Sequence, residues 1–479
     1  MKKRRARIGL LLIATGRFRD MGAETQEGSY RQRKEQEAGQ YIEGIRPFGD
    51  VIYRGNVYTR EDLGRQMEQF RQERADCVFA VFLSWSEDFV WIRFLRDMAP
   101  TPVLFAARTR DQISFGDTFA ETDFVEYLCA GGLVGSLEAS GSIGRLARPM
   151  LETAIGTYDA LLKRLECFAA AAALRTDLRA ENFGLLASFN EVMWSTYVDP
   201  YNFFIKAGPE LRFLSVSTLA DEIEAVKKRQ VAEAVGELQS RYEVLADVEE
   251  EKFAASVRAS IALENTARHA QVGALVLNDV DPVLLTQVGL RPGFIPTPAS
   301  KDGLTIVPEG DLGGGLVTWI LKWLSDRPVN FVEPFHIDLP QDCFVAGHAG
   351  PNDYTDPEGR VKIARDVRFA KTRYKYAGAP FAWYVIPPGL KTMAHISQDR
   401  DGGFKLVCGL VEGLNATHQI TSYSHGSFRP VGMEVQEYFA RLLQIGVTQH
   451  YGLAAGDWIR ELRDLAKLMG FSFQYLNEG

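Results

Sequence analysis

Between Pro308 and Gly350 the chain carries three side chains that bind divalent cations, each in a setting able to hold it still. Glu309 stands in Pro308-Glu309-Gly310-Asp311, Glu333 in Phe331-Val332-Glu333-Pro334, and His348 in Ala346-Gly347-His348-Ala349-Gly350. Two carboxylates and an imidazole suit Mn²⁺, Mg²⁺ or Fe²⁺ better than a thiolate-preferring metal. No cysteine stands at ligand spacing beside them. A fourth ligand has to come from far along the chain, and Val447-Thr448-Gln449-His450 offers His450. One glutamate or histidine alone is more often solvated or satisfied in a core, so the argument rests on the set.

The segments around these residues read as ordered elements. Glu309 follows the apolar run Leu304 to Val307 and precedes Gly313-Gly314-Gly315, which opens an apolar helix through Leu316, Ile320, Leu321 and Leu324. A carboxylate between a strand and a helix N-terminus points into a crevice. Glu333 ends the run Val329 to Val332, and Pro334 limits how the chain continues beyond it. His348 comes after the strand-like Cys343 to Ala346, with Gly347 allowing close backbone approach. Gln449-His450 comes after an amphipathic stretch, Val435 to Ile445, and precedes a helix that Gly456-Asp457 can cap.

The N-terminal third alternates strand and helix. Arg7 to Ala14 is a nearly continuous apolar run, as expected of a strand buried on both faces. Helices are expected at Tyr30 to Gly44, Arg60 to Glu73 and Phe89 to Met98, and strands at Val51 to Tyr53, Cys77 to Leu83 and Val103 to Ala106. Such a doubly wound α/β domain presents its working loops at strand C-termini: Thr15 to Phe18, Ser84 to Asp88, and Ala107 to Gln112. Ala130-Gly131-Gly132 either binds an anion or lets two backbones pack. A helix from Met150 to Ala173 leads out of the domain.

A second α/β pattern begins near Asn182, with strands at Phe183 to Ala187, Leu211 to Val216 and Gly273 to Leu277, and helices at Leu219 to Ala246 and Glu249 to Ala270. After Asp326 short alternating runs, among them Phe381 to Ile386 and Phe404 to Gly409, read as an antiparallel sheet or barrel. The expected architecture is therefore two doubly wound parallel-sheet domains, 1–173 and 174–326, followed by a C-terminal antiparallel β-barrel domain, 327–479.

Composition narrows the function classes. With 46% hydrophobic and 24% charged residues this is an ordinary globular chain. Its net charge of −8 argues against nucleic acid as a main partner, because phosphate binding needs a concentrated basic face. Lys2-Lys3-Arg4-Arg5 reads as a solvated terminus and not as a targeting signal. The apolar run Ile8 to Ala14 is too short to span a membrane. Five scattered cysteines, Cys77, Cys129, Cys167, Cys343 and Cys408, fit reduced core residues of a cytoplasmic protein.

In order and spacing, Glu-Gly-Asp after a strand, then Phe-x-Glu, then Gly-x-His, then a late x-His before a last helix and strand resemble the L-arabinose isomerase and L-fucose isomerase family, most closely its arabinose isomerase branch. The resemblance covers nearly the whole chain, and its metal motifs are the specific part. It implies that Glu309, Glu333, His348 and His450 are Mn²⁺ ligands and that Glu309 and Glu333 are also the acid–base pair. It also implies a sugar substrate and a homo-oligomer, trimer or hexamer, with sites at subunit boundaries. Where arabinose isomerases carry His-His this chain has Gln449-His450, where they carry His-Gly-Gly it has Ala130-Gly131-Gly132, and their sugar-contacting first loop here reads Thr15-Gly16-Arg17-Phe18. Either ring opening and hydroxyl recognition are done otherwise, or the sugar differs.

Three readings are open. The first is a metal-dependent aldose–ketose isomerase acting on a pentose or 6-deoxyhexose. The second is a metal-dependent epimerase or related α-proton chemistry on a sugar derivative. The third is a non-catalytic sugar-binding protein. Arg17, Trp85, Tyr201 and Gln449 are the expected substrate contacts. The aromatic segments Phe79 to Trp91 and Tyr197 to Phe204 either line a sugar pocket or belong to core or subunit interface.

Overall fold

The apolar run near the N-terminus is a strand, β1 (Ala6–Ile13), in the computed structural model of the protein, which describes residues 4–26, 28–109, 127, 132–288, 304–356, 358–375 and 377–478. Ile8 and every residue from Leu10 to Ile13 are fully buried, as a strand covered on both faces requires. The chain divides into two compact units, Arg4–Thr176 and Asp177–Gly479.

The first unit continues with α1 (Tyr30–Ile45), β2 (Gly49–Ile52), α2 (Arg60–Gln72), β3 (Cys77–Phe82), α3 (Asp88–Asp97), β4 (Val103–Arg108), α4 (Gly132–Leu146), β5 (Leu151–Gly156) and α5 (Tyr158–Leu178). Capping boxes start two of the helices, Ser29 with Gln32 for α1 and Thr59 with Asp62 for α2. The five strands are parallel in the order β2-β1-β3-β4-β5. The segment after Met150 departs from expectation. It begins as a strand and not as a helix, because Thr153 and Ile155 are β-branched and β5 finds β4 to pair with along its whole length.

Gly132 opens α4 where an added Cβ would stand 2.4 Å from the Phe82 carbonyl oxygen, so this glycine serves close packing. Ala130 and Gly131 lie outside the described residues, as do Cys129 and residues 110–112 of the loop after β4. Phe79, Phe82 and Trp91 belong to the core.

The second unit holds β6 (Asn182–Leu186), β7 (Glu210–Leu214), α6 (Val216–Ala225), α7 (Lys228–Arg241), β8 (Glu243–Val244), α8 (Glu250–His269), β9 (Ala274–Leu277), β10 (Thr305–Val307) and α9 (Leu312–Ser325). The single helix expected from Leu219 to Ala246 is two, because Val226 and Lys227 are both extended and break it. A parallel sheet forms in the order β10-β9-β6-β7. Every residue of α9 is buried.

The unit continues with β11 (Val329–Asp338), β12 (Cys343–His348), β13 (Arg360–Arg365), β14 (Pro380–Val385), β15 (Gly389–Gln398), β16 (Phe404–Leu414), β17 (Ser424–Pro430), α10 (Val435–Ile445), β18 (Tyr451–Ala455) and α11 (Ile459–Met469), with β19 (Ser472–Tyr475) last. The strands among them build a large mixed sheet. Within it β16, β15, β18, β11, β12 and β17 pair in sequence, and β17 pairs back to β16, so the pairings close a ring that is antiparallel throughout. The sheet is mixed because β8, β14 and β19 join it through parallel pairs.

Strand β11 does not stop at Glu333. It runs on through Pro334, where the register with β12 shifts between Pro334 and His336; a bulge admits a proline that cannot donate to the ladder. One hydrophobic cluster extends from Leu186 and Leu277 of the parallel sheet to Val332, Phe344 and Leu453 of the mixed sheet. Residue 326, where a boundary is expected, is the left-handed cap of α9 inside this unit. Among the described residues no helix is long and apolar enough to cross a membrane. Cys77, Cys343 and Cys408 are buried free thiols.

Candidate metal centre

Glu309 lies just past β10 in the loop that feeds α9, with φ of +65°, and Gly310 follows at +68°. The left-handed region costs an L-residue about 1–2 kcal/mol, so the surrounding structure must hold Glu309 there. It does so through the backbone. The Glu309 N–H donates to Asp279 Oδ1 at 3.0 Å and the Gly310 N–H to the Leu277 carbonyl at 3.0 Å. Strain of this kind concentrates where a side chain has a task.

Two imidazoles converge on the Glu309 carboxylate. His348 ends β12; its Nδ1–H donates to the Ala349 carbonyl, leaving Nε2 as the basic nitrogen, 3.7 Å from Glu309 Oε1. His450 directly precedes β18, with Nε2 3.1 Å from Glu309 Oε2 and Nδ1 2.8 Å from Asp311 Oδ2. The other Asp311 oxygen caps α9 by accepting from the Gly314 N–H at 2.9 Å. One carboxylate therefore fixes both a helix start and an imidazole, the arrangement that orients metal-binding histidines. His395 on β15 adds a second hold, donating from Nδ1 to the His450 carbonyl at 2.8 Å. The Phe331 ring packs on both imidazoles, 4.9 Å from His348 and 4.7 Å from His450 between centroids.

Burial opposes a charge on His450, but its bonds to Asp311 and Glu309 outweigh that cost and push it up to about 10. The neighbouring carboxylates thus favour positive charge on this imidazole. One ligand atom each from Glu309, His348 and His450 lies within 4.8 Å of the others. Ligands about 2.1 Å from one ion stand roughly 3 Å apart when adjacent, so modest closure brings the set to coordination distance. The donors fit a divalent cation of the Mn²⁺, Mg²⁺, Fe²⁺ or Co²⁺ class.

Glu333 is not a member of that three-residue cluster. Its carboxyl is pushed up chiefly by burial and next by the charge of Glu309, with His450 and Arg368 opposing. It therefore feels the centre electrostatically and binds a proton more readily than an ordinary glutamate.

The four expected substrate contacts fall in two places. Arg17 and Trp85 belong to the first unit, with the Arg17 guanidinium 5.9 Å from the Trp85 ring and its Nε 3.0 Å from Glu87 Oε1. Trp85 Nε1 donates to Glu138. Gln449, beside His450 in the second unit, donates from Nε2 to Met193 Sδ at 3.4 Å. Tyr201, also in the second unit, is 72% exposed. Sequence reading missed Asp311, Phe331, Asp279 and His395. Asp311 had a signal, an Asp three residues before a glycine at a helix start, and Phe331 shares the period-2 face of Glu333. Asp279 and His395 come from distant segments and had none.

No protein-family model matches the chain, and no curated protein matches it.

Proposed function

We propose that this protein is a cytoplasmic, metal-dependent aldose–ketose isomerase that moves a proton between C1 and C2 of a pentose or 6-deoxyhexose. The observation that carries the reading is the convergence of Glu309, His348 and His450 beside a second carboxyl, Glu333, that holds its proton more tightly than usual. The motif resemblance supports it, and under it the two parallel sheets are read as doubly wound domains, the antiparallel ring as the family's barrel, and the assembly as a homo-oligomer.

Glu309, His348 and His450 would hold the ion. When bound, it supplies Lewis-acid stabilisation of negative charge on the sugar oxygens. The chain's own groups do the rest. A carboxylate takes the proton from C2 of the open-chain aldose as the C2–H electrons form the C1=C2 bond and O1 gains a proton. Loss of the O2 proton and protonation at C1 then give the ketose. Glu333 suits the proton-carrying role because burial, and next the charge of Glu309, make it hold a proton more readily than an ordinary glutamate. Phe331 shields the imidazoles on one side and keeps the local dielectric low.

The deciding experiment incubates metal-stripped protein, with and without Mn²⁺, with aldopentoses and 6-deoxyhexoses in D₂O and reads proton NMR. Metal-dependent formation of a ketose, with deuterium entering at the transferred carbon, is the expected result. A product that keeps the aldehyde or hemiacetal would replace the isomerase by an epimerase. Equal sugar binding with and without metal, and no turnover, would leave a binding protein.

A further inference from the structure

Three strand ends of the β10-β9-β6-β7 sheet meet around Gly310, the residue after Glu309. A Cβ there would stand 3.1 Å from the Asn190 backbone nitrogen, 3.2 Å from the Ser188 carbonyl oxygen and 3.6 Å from Asn278 Cβ. Asn190 is 1% exposed and Asn278 3%. Each amide is half satisfied. Asn190 Oδ1 accepts from the Val192 N–H at 3.1 Å, and Asn278 Nδ2 donates to Ser188 Oγ at 3.2 Å and to the Phe189 carbonyl at 3.3 Å. These partners fix the amide orientations, since an N–H requires the oxygen and a carbonyl requires the NH₂.

The remaining halves, Asn190 Nδ2 and Asn278 Oδ1, are buried without a hydrogen-bond partner. One is a donor and the other an acceptor, yet they do not satisfy each other. Buried polar groups are nearly always paired, and two orphans of opposite kind beside one site call for a group that both donates and accepts. A hydroxyl, of a sugar or of water, is such a group, and a monatomic ion is not.

We propose that Asn190 and Asn278 form a hydroxyl-reading subsite beside the Glu309 centre, Asn190 Nδ2 donating to and Asn278 Oδ1 accepting from hydroxyls of a polyol substrate beyond its reacting carbons. This rests on the reading of the centre as a sugar site. Their role is specificity, because a site that leaves buried amides unpaired rejects an analogue lacking the hydroxyl.

The test takes the sugar that the Mn²⁺-loaded protein turns over best and compares it with its 3-, 4- and 5-deoxy analogues. In the unaltered protein one deoxy analogue should lose about tenfold to a hundredfold in kcat/KM. Asn190→Ala and Asn278→Ala should lower the parent sugar more than that analogue, so that the gap between the two sugars closes. Unaltered protein that turns over all the analogues as well as the parent overturns the subsite, whether or not the variants fold. An equal fall for parent and analogue in the variants also overturns it, as a purely structural role. Protein that neither binds nor turns over any sugar overturns the isomerase reading too, and shows this without any variant.

Discussion

Asp311 divides its two oxygens between the start of α9 and the His450 imidazole, and a single substitution separates the two tasks. Asparagine caps helices as well as aspartate, so Asp311→Asn should keep the start of α9 while losing the buried charge that pairs with His450, and a fall in Tm would report that lost pairing. The introduced amide would donate to His450 Nδ1 and place the proton on Nε2, the nitrogen facing Glu309. Mn²⁺ affinity by calorimetry should fall about 10- to 100-fold. Glu309→Gln should abolish metal-dependent turnover, with circular dichroism showing the fold intact; an unchanged rate would remove the isomerase reading. In the first unit Asp76, which is buried, accepts from Arg4 at 2.6 and 2.9 Å and from the Arg7 backbone at 2.8 Å. Burial opposes its charge, but these bonds prevail and its pKa is lowered. A carboxyl with a depressed folded pKa contributes stability that is present above the ordinary carboxylate value and is lost as pH falls through the folded value. Asp76→Asn should therefore cost about 1–3 kcal/mol of stability at neutral pH, seen as a lower Tm, and the gap from the unaltered protein should narrow as pH falls below the ordinary carboxylate value toward the depressed folded one.

At the scale of elements, the glycine triplet explains how α9 reaches the centre. A Cβ on Gly313 would stand 2.2 Å from the Ile396 carbonyl oxygen, one on Gly314 2.5 Å from the Phe331 ring, and one on Gly315 2.7 Å from Val276. Each glycine thus lets the buried helix start fit against a different neighbour, two in the mixed sheet and one in the parallel sheet. Gly313→Ala meets backbone that cannot step aside, so it should cost about 1–3 kcal/mol and weaken Mn²⁺ binding by shifting Asp311. Thermal unfolding together with metal titration checks both, and an unchanged metal affinity would mean that the helix start does not position the centre. Gly347 is tighter still, with a Cβ only 1.9 Å from the Ser424 carbonyl oxygen. This close approach of β12 to β17 sets where His348 emerges.

At the scale of the molecule, the centre draws all its ligands from the unit Asp177–Gly479. Calorimetry of the full chain should resolve two transitions, and Mn²⁺ should raise only the one belonging to this unit, by about 2.7 kcal/mol at a hundredfold excess over Kd. A metal shift in both transitions would mean that the two units unfold as one.

Periodicity and motif spacing made much of this legible. The buried strands β1 and β3 show as unbroken apolar runs, and Glu309 and His348 stand at the ends of elements whose hydrophobic patterns predict strand, whereas His450 directly precedes β18, a strand that the pattern did not announce. Local propensity is written in neighbouring residues, so these features need no tertiary information. Where the outcome turned on a partner, reading failed. β5 is a strand because β4 offers it an edge, and β11 passes through Pro334 because a bulge against β12 receives it. The left-handed Glu309, the His450 imidazole gripped by Asp311, and the contact of His395 with the His450 carbonyl depend on segments up to 139 residues apart. Residue types alone determined which ligands the chain has to offer. Only the fold decided which of them meet, because the hydrogen bonds and the close glycine contacts that fix them join parts of the chain that no local pattern connects.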